Sequence, residues 1–319
     1  PVVNRRKERL LMTALVKPGK SRRKNRIREG SVAADVIMYA ISVFVIFITL
    51  YPMYYILIIS LSAPEVAITM KVYVRPIGLN LNAYQVLLKN TEFWHAYKNT
   101  LIYLVPNTVL PLVTATLVAY PLSYKKLMGR KALTWFLLVP MYFSGGLIPS
   151  FLLVQKLGMY GSPLALIIPG CYSISNIILV RSFFRTVPDE LREAACIDGA
   201  NIYQILLNVY LPSSVAIFAV IAIREMVSSW NSWYSAYIYL PKRTWQPLQL
   251  YLRRMLTLEA TVVSDELSEE AARDLEEFKL AMAQLKYAMI ILSVLPILCV
   301  YPYFQRFFIK GVMLGSLKE

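Results

Sequence analysis

Six apolar runs of about twenty residues, separated by polar and basic segments, set the plan of this chain. About twenty apolar residues are what a helix needs to cross a hydrocarbon core of about 30 Å. The runs predict helical spans over about 36–61, 98–122, 132–154, 163–184, 213–231 and 285–304. Pro52 kinks the first, and Pro106 and Pro111 fall inside the second, which membrane helices tolerate. Gly145, Gly146 and Pro149 predict a loosened outer half in the third. The fold class is therefore all-α, a polytopic membrane protein with six transmembrane helices.

The polar stretch between the fourth and fifth runs has its own pattern. Pro188 suits a first helical turn, with Thr186 or Val187 as the cap. Asp189, Glu190 and Glu193 put negative charge near the positive helix end. Gly199 is a left-handed stop, and Asn201 caps a second helix with apolar Ile202, Ile205, Leu206 and Val209. Pro212 ends that helix or bends it into the next run. The pattern predicts a helix–turn–helix lying outside the hydrocarbon and braced between two spans.

Composition agrees. Of 319 residues 57% are hydrophobic, and the mean hydropathy is +0.50, above ordinary globular usage. The net charge of +15 would suggest nucleic acid in a soluble chain. Here the basic residues cluster beside the spans, so topology accounts for them and no nucleic-acid partner is expected. They fill a tail over residues 1–30 and recur at Lys125, Lys126, Arg130, Lys131, Arg181 and Arg185. The tail reads as an anchor on anionic lipid, and no signal-peptide cleavage pattern precedes the first span. Six spans put both termini on one side with these basic loops, which is the cytoplasmic side by the positive-inside rule. The longest outer segment, about 232–284, carries an acidic, helix-prone stretch over 265–278. Cys171, Cys196 and Cys299 are too far apart for a disulfide framework or a metal site, and His95 is the single histidine. No Walker motif is present.

The string Glu193-Ala194-Ala195-Cys196-Ile197-Asp198-Gly199-Ala200, followed by Leu211-Pro212, resembles the EAA loop of permease subunits from bacterial ABC importers. The segment from Leu295 to Pro302 and on through Gly315, together with Ser144–Pro149, Pro169 and Asn176, resembles the maltose-type carbohydrate branch, in its complex-oligosaccharide subgroup. The resemblance covers roughly residues 30–319. It implies a type I importer permease fold, with a basic cytoplasmic tail over 1–30 and a permease domain over 31–319 that carries a coupling loop at 186–212. It further implies a homologous second permease, two ATPase subunits, an extracytoplasmic solute-binding protein and a sugar substrate, in a bacterial cytoplasmic membrane. ATP and magnesium would bind the ATPases. This chain would carry no cofactor, no metal and no catalytic residue.

Coupling then falls to Glu190, Glu193, Ala194, Ala195, Asp198 and Gly199. In the family the glutamate matching Glu193 faces basic residues of the ATPase cleft, and the small residues let the loop seat closely. Asp198 caps or braces the turn, a purely structural role. Arg192 pairs with the partner or with a lipid phosphate.

The substrate path is less marked. Arg224 and Glu225 lie about 16 Å into the fifth span, near mid-membrane. Charges there cost about 2.5–3.5 kcal/mol on insertion scales, so they face a pathway or each other. Family members carry mostly apolar or small residues at this position. Two readings stand: Arg224 as counter-charge for an acidic sugar such as a uronate oligosaccharide, or an internal ion pair that braces the bundle. Asn176, with Ser173 and Ser175, is a further candidate. Trp230, Asn231, Trp233 and Tyr234 suit a sugar entrance, or serve as interfacial membrane anchors. The rival functions are a permease for a non-sugar solute, an ATP-independent carrier, and a membrane-embedded enzyme, against which the lone histidine argues.

Overall fold

Proline and glycine decide which apolar runs become unbroken helices. The computed structural model describes residues 32–261, 280–300 and 302, all of whose regular structure is helical. The expectations for residues 1–30, 265–278 and 305–319 fall outside the described residues. Three helices are long and apolar enough to cross a membrane uninterrupted, and five spans result if each of two bent pairs counts as one.

The chain divides into two units, residues 1–54 and 55–319. The described part of the first is the start of α1 (Val32–Ser60), whose apolar side chains from Val36 to Leu50 are exposed along its length. Pro52 sits inside the helix. The other elements belong to the second unit. They are α2 (Pro64–Thr69), α3 (Asn82–Lys89), α4 (Thr91–Ser123), α5 (Arg130–Tyr142), α6 (Leu147–Lys156), α7 (Leu164–Ile167), α8 (Ile174–Phe184), α9 (Asp189–Ile197) and α10 (Ile202–Ile205). A π-helical turn (Leu206–Tyr210) then leads to α11 (Leu211–Ser213), α12 (Val215–Trp230), α13 (Tyr234–Tyr239), a 3₁₀ turn (Arg243–Trp245), α14 (Leu248–Thr261) and α15 (Leu280–Val300).

Two of the six expected spans are interrupted, and a third starts at a sharp bend. The run over 132–154 is split into α5 and α6, which meet at 110°. Gly146, at φ 85 and ψ −179, takes a conformation open essentially only to glycine, and Ser144 Oγ accepts its N–H at 3.1 Å. The whole run breaks there, where a loosened outer half was expected. The run over 163–184 supplies only α7 and the eleven-residue α8, because Pro169-Gly170 interrupts it and Ser173 caps a new start. The fifth run begins after a 79° bend at Ser214, two residues beyond the expected breaking point at Pro212.

Helix α4 is the axis of the second unit, packed along α8 and α12. Ala115 and Ala119 are wholly buried one turn apart on it. Small residues at this spacing let membrane helices approach closely. Around them gather Leu122 of α4, Ile177, Val180 and Phe184 of α8, and Ile217 and Ile221 of α12. At the other end of α4, Asn99 Nδ2 donates to the carbonyls of Thr244 (2.8 Å) and Gln246 (3.1 Å), and Tyr103 Oη donates to that of Trp245 (2.7 Å). The Leu248 N–H donates to Thr100 Oγ1 at 2.8 Å. Side chains of α4 thus satisfy backbone groups of a segment too irregular to satisfy its own.

Phe184 is buried against Tyr120, Tyr210 and Phe218. Truncating it as Phe184→Ala should cost about 3–5 kcal/mol. A thermal melt in detergent should show a clearly lowered midpoint, while truncation of exposed Val43 should leave it unchanged.

Candidate functional site

The segment after α8 folds as the predicted helix–turn–helix, with a different start. Pro188 itself takes the cap position at φ −57 and ψ 135, and α9 begins at Asp189. Thr186 is not the cap, because its Oγ1 donates to the Phe183 carbonyl at 2.7 Å. Asp198 ends α9, its N–H donating to the Ala194 carbonyl at 3.0 Å. Gly199 follows at φ 79, the left-handed position that closes such a helix. Asn201 and Gln204 then form a reciprocal capping box: the Gln204 N–H donates to Asn201 Oδ1 (2.9 Å), and the Asn201 N–H donates to Gln204 Oε1 (2.8 Å).

This element has two faces. Ile205, Leu206 and Tyr210 are buried in the α4–α8–α12 core, with Ala195 and Ala200 packed at its edge. Tyr210 meets Tyr120 and Phe184 edge-on, at ring separations of 5.1 and 5.3 Å. The other face is bare. No residue of α9 is buried, Ile197 is 86% exposed, and Ile202, Tyr203 and Leu207 are exposed beside it. Glu190, Glu193, Ala194, Asp198 and Gly199 lie on the exposed surface, and Ala195 is half-buried beneath them.

Two charges fix α9 to the loop that follows α4. Lys125 Nζ donates to Asp189 Oδ2 at 2.9 Å. The Arg192 guanidinium lies 4.6 Å from the centre of the Tyr124 ring, within cation–π range. The hydrogen bond and charge of Lys125 hold the Asp189 carboxyl below its usual range.

The mid-span charges form one network. Asn176 is wholly buried on α8. Its Nδ2 donates to Glu225 Oε1 at 2.8 Å, and its Oδ1 accepts from Arg224 Nη2. Arg224 Nη2 also pairs with Glu225 Oε1 at 3.0 Å. One amide thus joins two side chains that leave the helix about 100° apart. The Arg224 side chain is 51% exposed, and that of Glu225 is 18% exposed.

Glu225 also lines a cavity of about 320 Å³ between α4, α12 and the 164–170 segment. Ser228, Ser229, Ser232 and Ser235 present hydroxyls there. Asn107 Nδ2 donates weakly to Ser229 Oγ at 3.4 Å, while its Oδ1 is buried without a partner among the described residues. Sequence reasoning missed Asn107 and these serines. Their signal was polar residues recurring every three or four positions from 228 to 235.

The aromatic candidates separate. Trp230, expected at an exposed entrance, is buried against Tyr97, and its Nε1 donates to the Ser293 carbonyl at 3.0 Å. Apolar neighbours on α4, α14 and α15 outcompete the interface for it. Asn231 Nδ2 is turned back to the Val227 carbonyl at 2.9 Å. Trp233 is covered by the Arg253 guanidinium, 3.7 Å from its ring centre. Among the described residues no group of three or more His, Cys, Asp or Glu is placed to hold a metal.

The sequence and fold have relatives. The chain is 30% identical over 295 residues to the polygalacturonan/rhamnogalacturonan transport system permease protein YtcP of Bacillus subtilis (strain 168), covering 92% of this chain and 99% of that one. It is 31% identical over 272 residues to protein LplC of the same organism, covering 85% and 90%. In structure it matches, at a TM-score of 0.76 and 30% identity, a chain of a bacterial ABC transporter involved in the import of the acidic polysaccharide alginate, over 88% of this chain and 99% of that one. No family model matches the chain.

The Asp189 carboxyl is depressed, so its contact with Lys125 is present above the ordinary aspartate range and is lost as pH falls through the depressed value. Once corrected for the slower intrinsic exchange at low pH, the protection of the backbone amides of residues 186–200 should fall on acidification. Asp189→Asn should show the lower protection already at neutral pH, with no further acid-induced step from this contact.

Proposed function

The chain belongs to the permease subunits of bacterial carbohydrate ABC importers, a transport subunit of many membrane passes, and we propose that it moves an acidic oligosaccharide by alternating access, driven through residues 186–212. The observation that carries this reading is the two-faced coupling element. One face is rooted in the core of α4, α8 and α12, and the other leaves Ile197, Ile202 and Tyr203 uncovered. A large apolar group left in water on a short helix is stabilised by a partner that buries it.

That partner is an ATPase subunit, one of two, whose closure on ATP carries this element and its counterpart on a second permease towards each other. Glu193 supplies the charged contact, Ala194 and Gly199 allow close seating, and Glu190 and Asp198 frame the turn. ATP and magnesium stay on the ATPases, and this chain needs no cofactor. Residues 186–212, the Lys125 loop and both termini lie in the cytoplasm, with residues 1–30 as a basic tail before the permease domain. An extracytoplasmic binding protein delivers the sugar at the opposite end.

The serine-lined cavity offers hydroxyl partners to a sugar, and Glu225 is paired there with Arg224 and hydrogen-bonded by Asn176. Arg224 keeps half its surface free to meet a carboxylate. The relatives named for polygalacturonan/rhamnogalacturonan and for the acidic polysaccharide alginate support an anionic substrate.

In the purified importer, Glu193→Ala should lower binding-protein-stimulated ATP hydrolysis and uptake together by about tenfold, the value of one charge-assisted contact. Undiminished hydrolysis and uptake would refute the coupling role. Arg224→Gln should slow uptake of a uronate oligosaccharide about tenfold more than that of a neutral one of equal length. Equal loss would leave Arg224 a brace of the bundle.

A further inference from the structure

Near the coupling element, three arginine side chains converge, with Lys131 next to one of them in sequence. Arg181 and Arg185 end α8, and Arg130 and Lys131 begin α5. Arg181 Nη1 donates to Thr134 Oγ1 at 3.2 Å, and Thr134 Oγ1 donates to the Arg130 carbonyl at 2.7 Å. The Arg181 guanidinium therefore rests on the first turn of α5, within electrostatic reach of both Arg130 and Arg185. The ion pairs found among the described residues are Lys125–Asp189, Arg224–Glu225 and Arg254–Glu92, so none engages this cluster. Arg130 Nη1 and Arg181 Nε are buried atoms with no hydrogen-bond partner among the described residues.

This arrangement opposes itself. Cations at a helix start are repelled by the macrodipole, and α5 has no acidic residue in its first turn and no side-chain cap. Converging guanidinium groups also repel one another. A bound anion with several acceptor oxygens would remove both penalties, because guanidinium forks match phosphate oxygens. The surface beside the cluster indicates the rest of the ligand. Helix α5 has no buried residue, and Trp135, Phe136 and Tyr142 are bare along it, Phe136 at 75% exposure. A basic head continuous with an apolar, aromatic wall has the two-part chemistry of a phospholipid.

We propose that Arg130, Arg181 and Arg185 form a binding site for the phosphodiester of an anionic phospholipid whose acyl chains lie along α5. Such a lipid would wedge between the α5 start and the α8 end, one turn before the coupling element, and so steady the base from which that element projects. The leaflet it occupies rests on the orientation proposed above; the chemistry of the site does not.

The test uses the intact importer with its partner subunits. Native mass spectrometry should show retention of phosphatidylglycerol over phosphatidylcholine, and a photoactivatable phosphatidylglycerol should cross-link within residues 125–142 and 174–187. Arg130→Gln with Arg181→Gln should reduce that preference about five-fold per arginine removed, and the double lysine variant should retain most of it. Equal retention of the two lipids by the native importer, or cross-links elsewhere, would overturn the site. Displacement by millimolar inorganic phosphate would identify a free-phosphate site and overturn the lipid assignment. Loss of an ATPase subunit by the glutamine variant, with its lipid preference intact, would make the arginines a protein contact and also overturn it. Should that variant fail to assemble, the cross-links on the native importer decide.

Discussion

Close contact between α4 and its two neighbours is the constraint on which the second unit depends. Hydrocarbon gives no hydrophobic reward for bringing membrane helices together, so association rests on packing and on polar contacts. Ala115 and Ala119 remove the bulk that would hold α8 and α12 away. The residues that fill the remaining space do not come from spans alone. Ile205, Leu206 and Tyr210 enter the same core from the segment over 186–212. The polar element is thereby fastened to the bundle by apolar side chains, and a force on its exposed face reaches α4, α8 and α12 through packed atoms.

The breaks in the helices follow a related logic. Freed backbone groups at membrane depth are costly unless protein or a cavity satisfies them. The gap before α8 opens at Pro169 and Gly170, where the polar cavity also opens. The carbonyl of Cys171, in the same gap, accepts a hydrogen bond from Thr114 Oγ1 of α4 at 2.7 Å. The sharp turn at Gly146 uses Ser144 in the same way. At these two breaks, α4 or a neighbouring hydroxyl meets the irregular backbone.

Charge is arranged differently at each level of the structure. At mid-span, Arg224 and Glu225 are held by the buried amide of Asn176, which repays part of the cost of placing them there. At the helix–turn–helix over 186–212, Lys125–Asp189 and Arg192–Tyr124 are contacts that orient α9 more than they stabilise it. Beside them the arginines of α5 and α8 have no acidic partner among the described residues.

Local chemistry was legible in the sequence. Apolar run length announced the membrane, Gly199 and Asn201 fixed the turn between α9 and α10, and the polar pattern over 186–212 announced an exposed helix–turn–helix. These features depend on residues near one another along the chain, so pattern and propensity suffice. The tertiary structure alone decided that Trp230 is buried where an interfacial aromatic was expected, that Asn176 joins Arg224 to Glu225, and that Ser228 to Ser235 and Asn107 face one cavity. It alone split the runs over 132–154 and 163–184, at Gly146 and at Pro169-Gly170. The burial, the network and the cavity turn on what a distant helix places opposite a side chain, and even the recurrence of Ser228, Ser232 and Ser235 marks a helix face without showing which segment it meets.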